Sequence, residues 1–262
     1  MKANRQSKSW HFIGAGALGC LWIHQCRASG LDLTLLLRNE LRLAQFKRAG
    51  GVALVQNGGA ESQTCTALTT EQAAALQPPQ SVRQLIICCK AQQTAAAFAA
   101  ITALVADDAT VLLVQNGMGV AEELLAARPG LRLFCGVSTD GAHLVAPFTV
   151  QRAGAGITRI GLFPTEPTLV ASRTLCSQLG VPGLTLQPCA NIRLAQWQKL
   201  AVNAVINPLT ALYDISNGAL LTSAEPSALI APLCVEIARV AAAEGVALDA
   251  GSISQDVYRV CQ

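Results

Sequence analysis

Lys199, Asn203 and Asn207 stand four apart in the run Trp197-Gln198-Lys199-Leu200-Ala201-Val202-Asn203-Ala204-Val205-Ile206-Asn207-Pro208, and every residue between them is apolar. At 3.6 residues per turn, a step of four advances a side chain by only about 40° around a helix axis, so the three line one stripe. Apolar neighbours on all sides predict a helix buried nearly all round. A lysine and two asparagines in such a place need partners, because burying an unpaired polar group is costly. A polar ligand in a cavity or an internal hydrogen-bond network would supply them. Desolvation moves a lysine's pKa towards neutrality, which suits it to donate a proton in a reaction. Pro208 has no amide to give Ala204, so the helix is expected to be disturbed there.

A second group is Gly14-Ala15-Gly16-Ala17-Leu18-Gly19, which follows the apolar stretch Trp10-His11-Phe12-Ile13 and opens a helix over Ala17 to Ser29. The spacing is that of a dinucleotide-binding turn. Gly14 permits the tight bend, Gly16 lets the backbone approach a pyrophosphate, and Gly19 lets helix and strand pack closely, while the helix N-terminus offers amide donors to phosphate. A glycine turn with no ligand is the plain alternative. About 20 residues on, an NAD site carries an acid for the ribose 2′-hydroxyl. Here the extended run ends Leu35-Leu36-Leu37-Arg38. A cation suits a 2′-phosphate, so the expected cofactor is NADP(H); a solvated arginine is the alternative. Lys90 follows the buried run Leu85 to Cys89, and Asn116 follows Val111 to Val114. Both therefore fall at strand ends, where open α/β sheets bind ligands.

These residues need a scaffold. The order strand, helix, strand from Trp10 to Leu37 is the start of a doubly wound parallel sheet. Strand-like pieces between Val52 and Thr66 break at Asn57-Gly58-Gly59, and an Ala-rich helix follows Lys90. Short glycine-containing strands come after Leu131, and helices alone follow Ile192. This places a Rossmann domain over residues 1–188 and a helical substrate domain over 189–262. Hydrophobic residues at 52% against 13% charged support a well-buried core, and exclude a disordered chain. A net charge of +3 with no dense basic run argues against a nucleic-acid partner. No metal ligands have usable spacing, no stretch reads as a membrane span, and residues 1–9 lack an apolar leader region. The ten cysteines read as reduced, buried thiols of a cytoplasmic protein.

Gly14 to Gly19, Arg38, Lys90-Ala91, Asn116-Gly117-Met118-Gly119 and Lys199-Leu200-Ala201-Val202-Asn203 with Asn207-Pro208-Leu209-Thr210 and Asn217-Gly218 together resemble the ketopantoate reductase family. The resemblance implies an N-terminal Rossmann domain and an all-helical C-terminal domain of the 6-phosphogluconate dehydrogenase kind. It further implies NADPH-dependent reduction of 2-dehydropantoate to pantoate, on the way to pantothenate and coenzyme A. By the same resemblance, Gly14, Ala15, Gly16, Ala17, Leu18, Gly19 and Arg38 hold NADP, Lys90 and Asn116 touch cofactor or substrate, and Ala142 lies beside the nicotinamide. Lys199 becomes the proton donor, with Asn203, Asn207 and Asn217 holding the 2-keto acid. The family runs on for several dozen residues and brings a Ser and a Glu to the site. Here Cys261-Gln262 is last, and neither Ser252 nor Ser254 fits that serine, so a truncated second domain and weak turnover are expected. A homodimer stays open. Two rivals remain: a Rossmann reductase of the β-hydroxyacid dehydrogenase kind, and a non-catalytic NADP-binding protein.

Overall fold

The computed structural model describes residues 9–56, 58–165 and 168–262. Asn57, one residue of the break expected before Gly58-Gly59, lies outside them, as do residues 1–8. The chain forms two compact units, one ending at Ile192 and the other Arg193–Gln262. Residues 189–192 thus group with the first unit and not the second. Cys189 donates its amide to Ile160 at 2.7 Å, and the backbone of Gly161 lies so close to Cys189 and Ile192 that a Cβ there would stand 2.6 Å from both.

In the first unit the elements are β1 (Trp10–Ile13), α1 (Ala17–Ala28), β2 (Leu33–Leu37), α2 (Glu40–Ala49), β3 (Val52–Gln56), β4 (Gly59–Gln63), β5 (Thr66–Thr69), α3 (Thr70–Leu76), β6 (Val82–Ile87) and α4 (Ala91–Ala99). There follow β7 (Val105–Val114), α5 (Val120–Ala127), β8 (Arg132–Ser138), β9 (Gly141–Ala146), β10 (Thr149–Gly154), β11 (Ile157–Leu162), α6 (Val170–Leu179) and β12 (Thr185–Pro188). Eight strands form one sheet in the order β12-β11-β8-β7-β6-β1-β2-β5. All pairs are parallel except β8 with β11. The order turns back at β1, which pairs with β2 on one side and β6 on the other. Strands buried on both faces read as continuous apolar runs, as Leu85-Ile86-Ile87 and Val111 to Val114 do.

A second sheet was not expected from the sequence. It runs β4-β3-β10-β9, with β3 and β10 parallel and the two outer pairs antiparallel. This sheet packs on α1, which explains an oddity of that helix. Leu21, Trp22, Ile23, His24 and Cys26 are buried around its whole circumference, because it is covered by strands on two sides. Trp22 is fully buried, and its loss to alanine would cost about 3–5 kcal/mol.

The second unit comprises α7 (Ile192–Tyr213, which begins one residue earlier), α8 (Ala224–Ala243) and α9 (Ala250–Cys261), with a short 3-10 turn at Gly218–Leu221. Its core gathers Ala201, Val205, Ile206 and Leu209 from α7, Leu220 from the turn, Ile230 and Cys234 from α8, and Ile253, Val257 and Cys261 from α9. Asp249 caps α9 by accepting the Ser252 amide at 2.7 Å. Pro208 does not end α7: the helix continues through it to Tyr213. Leu209, buried in the core, holds the next turn down, and the Thr210 hydroxyl donates back to the Ile206 and Asn207 carbonyls at 2.9 and 3.1 Å. Among the described residues α8 is the one helix long and apolar enough to cross a membrane. It also carries Glu225, Glu236 and Arg239 and buries Ile230 and Cys234.

Candidate active site

The first unit presents its chemistry at one edge of the large sheet. The carboxyl ends of β1, β2, β6 and β7 carry in turn the glycine loop, Arg38, Lys90 and Asn116. These strands are parallel neighbours, so the four sites share that edge, and the reversal of strand order falls between β1 and β6.

The glycine loop has three distinct demands. Gly14 sits at φ +98°, and a Cβ there would lie 2.6–2.8 Å from the peptide joining Cys88 to Cys89. Gly19 is tighter: a Cβ would stand 1.9 Å from the Gly14 carbonyl oxygen. Gly16 differs from both. It is exposed, with open space where a side chain would be. It is also the N-cap of α1, where no side chain caps the helix and no acid stands in the first turn. The first turn of α1 thus begins at an exposed glycine with open space beside it. That arrangement fits a phosphate and fits the pyrophosphate of a dinucleotide.

Arg38 is exposed just past β2, where a 2′-phosphate would be met. Lys90 is the N-cap of α4 and is also exposed. Asn116 lies in the loop between β7 and α5 and is exposed. The fold brings these last two together. A Cβ on Gly117 (φ +103°) would touch the Ala91 side chain at 3.1 Å. Buried Thr94 donates to the Gln115 side chain at 2.6 Å and shares a contact of 3.1 Å with the Lys90 carbonyl. The two strand-end loops are therefore tied to each other beneath the polar side chains.

Ala142 is half-buried in β9, opposite Arg152 on β10. That strand is anchored by a network the sequence did not disclose. Asp140, with no exposed side-chain surface, accepts from Arg152, from the Ser138 hydroxyl at 3.0 Å and from the Gly156 amide at 3.0 Å. A lone Asp beside Gly141 and an Arg in a strand gave no local signal of this pairing. The same is true of Arg42, which donates to the Ala15 carbonyl inside the glycine loop at 3.2 Å.

In the second unit Lys199 and Asn203 are half-buried and Asn207 is exposed. They lie on the side of α7 opposite the buried face of Ala201, Val205 and Leu209. The expectation of burial all round is therefore corrected: α7 is two-sided, with the polar stripe away from the helical core. Asn217 is exposed at the N-cap of the 3-10 turn.

The chain has ten thiols. All ten are free, and burial pushes Cys20 and Cys26 up to about 12. Cys88, beneath the glycine loop, is raised well above the usual thiol range, first by burial and then by neighbouring thiols. Among the described residues no group of His, Cys, Asp and Glu could hold a metal ion.

Comparison with known proteins gives a consistent answer. Residues 10–165 match the family model of ketopantoate reductase PanE/ApbA, and residues 191–262 match the model of that family's C-terminal part. A 2-dehydropantoate 2-reductase of Halobacterium salinarum is 30% identical over 236 residues, 90% of this chain and 75% of that one. One of Yersinia pestis is 38% identical over 153 residues, 56% of this chain and 47% of that one. A D-mandelate dehydrogenase solved with NADH and anilino(oxo)acetate has the same fold, with a TM-score of 0.85 at 23% identity over 97% of this chain and 80% of that one. With both family models matched in order along the sequence, the chain belongs to the ketopantoate reductase family of oxidoreductases.

Proposed function

We propose that this protein reduces 2-dehydropantoate to pantoate with NADPH, in the cytoplasm, as a step towards pantothenate and coenzyme A. The observation that carries the reading is the sharing of one sheet edge by the glycine loop, Arg38, Lys90 and Asn116. The residues present fit the cofactor: an uncapped helix N-terminus and the open space at Gly16 suit its pyrophosphate, and Arg38 suits its 2′-phosphate. When bound, the nicotinamide supplies the hydride that a keto carbon accepts.

The chain's own residues do the rest. The first-turn amides of α1, with Ala15, Ala17 and Leu18 in the loop, bind and orient the pyrophosphate. Lys90 neutralises charge at the end of β6, and Asn116 donates or accepts through its amide at the end of β7. The Ala142 backbone borders the nicotinamide end. Lys199 donates a proton to the C2 oxygen as the hydroxyl forms, and so must be charged before the step and neutral after it. Asn203, Asn207 and Asn217 hold the carboxylate and hydroxyl groups of the substrate through side-chain amides. Ten free thiols are in keeping with a reducing compartment.

The test is NADPH consumption with 2-dehydropantoate as acceptor, an aryl 2-keto acid as the competing substrate, and Lys199→Ala alongside. The expected result is turnover of 2-dehydropantoate and a loss of at least about a hundredfold in kcat for the variant, with NADPH affinity retained. Preference for the aryl acid would reassign the substrate. NADPH binding without turnover of any keto acid would make the chain a binding protein.

A further inference from the structure

The Ala15 carbonyl in the glycine loop receives two donors, Arg42 Nη2 at 3.2 Å and Cys20 Sγ at 3.6 Å. Arg42 sits in the first turn of α2, where the Asn39 side chain accepts its amide at 3.0 Å. Its other guanidinium nitrogen donates to Gln45 at 2.9 Å. The guanidinium carbon lies 4.3 Å from the centre of the Phe148 ring, and Phe148 is fully buried against Phe46, edge to face at 5.3 Å. The side chain is thus gripped by a helix, by a ring from the turn joining β9 to β10 and by the loop itself.

The peptide from Ala15 to Gly16 is trans. In a planar trans peptide the carbonyl and the amide point in opposite directions. Holding the carbonyl against Arg42 and Cys20 therefore turns the Gly16 amide the other way. Gly16 itself is exposed, with open space beside it.

We infer that Arg42 is a positioning residue for the cofactor: by fixing the Ala15–Gly16 peptide it presents the loop's amides to the pyrophosphate. The inference rests on the reading that this loop binds NADP(H). It separates two arginines four residues apart. Arg38 serves the 2′-phosphate, which only NADPH has. Arg42 serves the pyrophosphate end, which NADPH and NADH share, so it weighs on both alike.

The experiment measures the Kd of NADPH, NADH and 2′-AMP by calorimetry for the wild type, Arg42→Ala, Arg42→Met and Arg38→Ala. Met keeps packing on Phe148 but has no donor. Both Arg42 variants are expected to weaken NADPH and NADH by the same factor, about tenfold, as for a lost charge-assisted hydrogen bond. They should leave 2′-AMP unchanged, which also shows that the unit is folded. Arg38→Ala should weaken NADPH and 2′-AMP and spare NADH. Unchanged NADPH and NADH affinity in Arg42→Met overturns the proposal, since packing alone then holds the loop. Loss of 2′-AMP binding in an Arg42 variant that melts at the wild-type temperature also overturns it, since Arg42 would then contact the 2′-phosphate. A wild type that binds neither dinucleotide refutes the underlying reading of the loop instead.

Discussion

Alanine at Gly16 and alanine at Gly19 should have opposite signatures, although the two positions lie three residues apart in one motif. At Gly16 the backbone sits at φ −80°, which any residue adopts, and a Cβ meets nothing within 4 Å. Gly16→Ala should therefore fold as well as the wild type, or slightly better because the unfolded chain loses freedom. Its methyl, however, stands in the open space assigned to the pyrophosphate, so dinucleotide affinity should fall by at least about tenfold, or 1.4 kcal/mol. At Gly19 the new Cβ would stand 1.9 Å from the Gly14 carbonyl oxygen. To reach a tolerable separation, α1 must retreat from β1 by roughly 1 Å, against two sheets that hold it. Overpacking of this kind costs about 1–3 kcal/mol. At about 2–4 °C per kcal/mol for a domain of this size, the melting temperature should drop by several degrees. The assay pairs thermal melts by circular dichroism with NADPH titration. Normal NADPH binding by Gly16→Ala would show that no phosphate approaches there. A wild-type melting temperature for Gly19→Ala would show that α1 is not clamped.

Three further outcomes are expected. Arg38→Asp should lose most of any preference for NADPH over NADH, since a carboxylate would face the 2′-phosphate; an unchanged affinity ratio would remove Arg38 from that role. Asp140→Ala should destabilise the chain by about 3–5 kcal/mol in urea unfolding, because it leaves the Arg152 guanidinium without its carboxylate in a largely buried place, with only the Gly183 carbonyl to donate to; a change under about 1 kcal/mol would refute this. Burial holds His11 and His24 below the usual 6.5, against the raising pull of Gln77 and Asp32 on the first and Glu61 on the second. The unfolded chain then binds these protons more readily, so their contribution is full above about pH 6.5 and drains away as pH falls towards the folded values. Urea unfolding at pH 7.5 and 5.5 should show that slope, and His11→Phe should flatten it; an equal slope in the variant would discount His11.

What could be read in the sequence was local. A strand, a glycine turn and a helix follow one another within residues 10–28, so the loop was visible, and Arg38 was placed at the strand end by counting from it. The second sheet was not visible, because β3 and β10 pair Ala53 with Thr149, and nothing near either residue announces the other. The same distance hid Arg42 on Ala15, and in Asp140 with Arg152 the partners lie across a hairpin. The α7 stripe was recognised by spacing, but its surroundings were misjudged. Apolar residues at Leu200, Val202 and Ala204 look like core in a sequence, yet they are half-buried while Ala201, Val205 and Leu209 carry the packing. Composition cannot say which apolar face a neighbour covers.

The cysteines have a use beyond packing. Cys20 and Cys26 in the sheet unit, raised to about 12 by burial, stay protonated at pH 7. In the helical unit Cys234 and Cys261 are buried and shifted in the same direction. An alkylating reagent reaches such sulfurs only when the surrounding structure opens, so the labelling rate at each one clocks the opening of its own neighbourhood. With thiols spread through both units, mass spectrometry of a timed alkylation would resolve the opening free energy of each unit separately. It would do so without any engineered probe, and would reveal whether ligand binding steadies one unit or both.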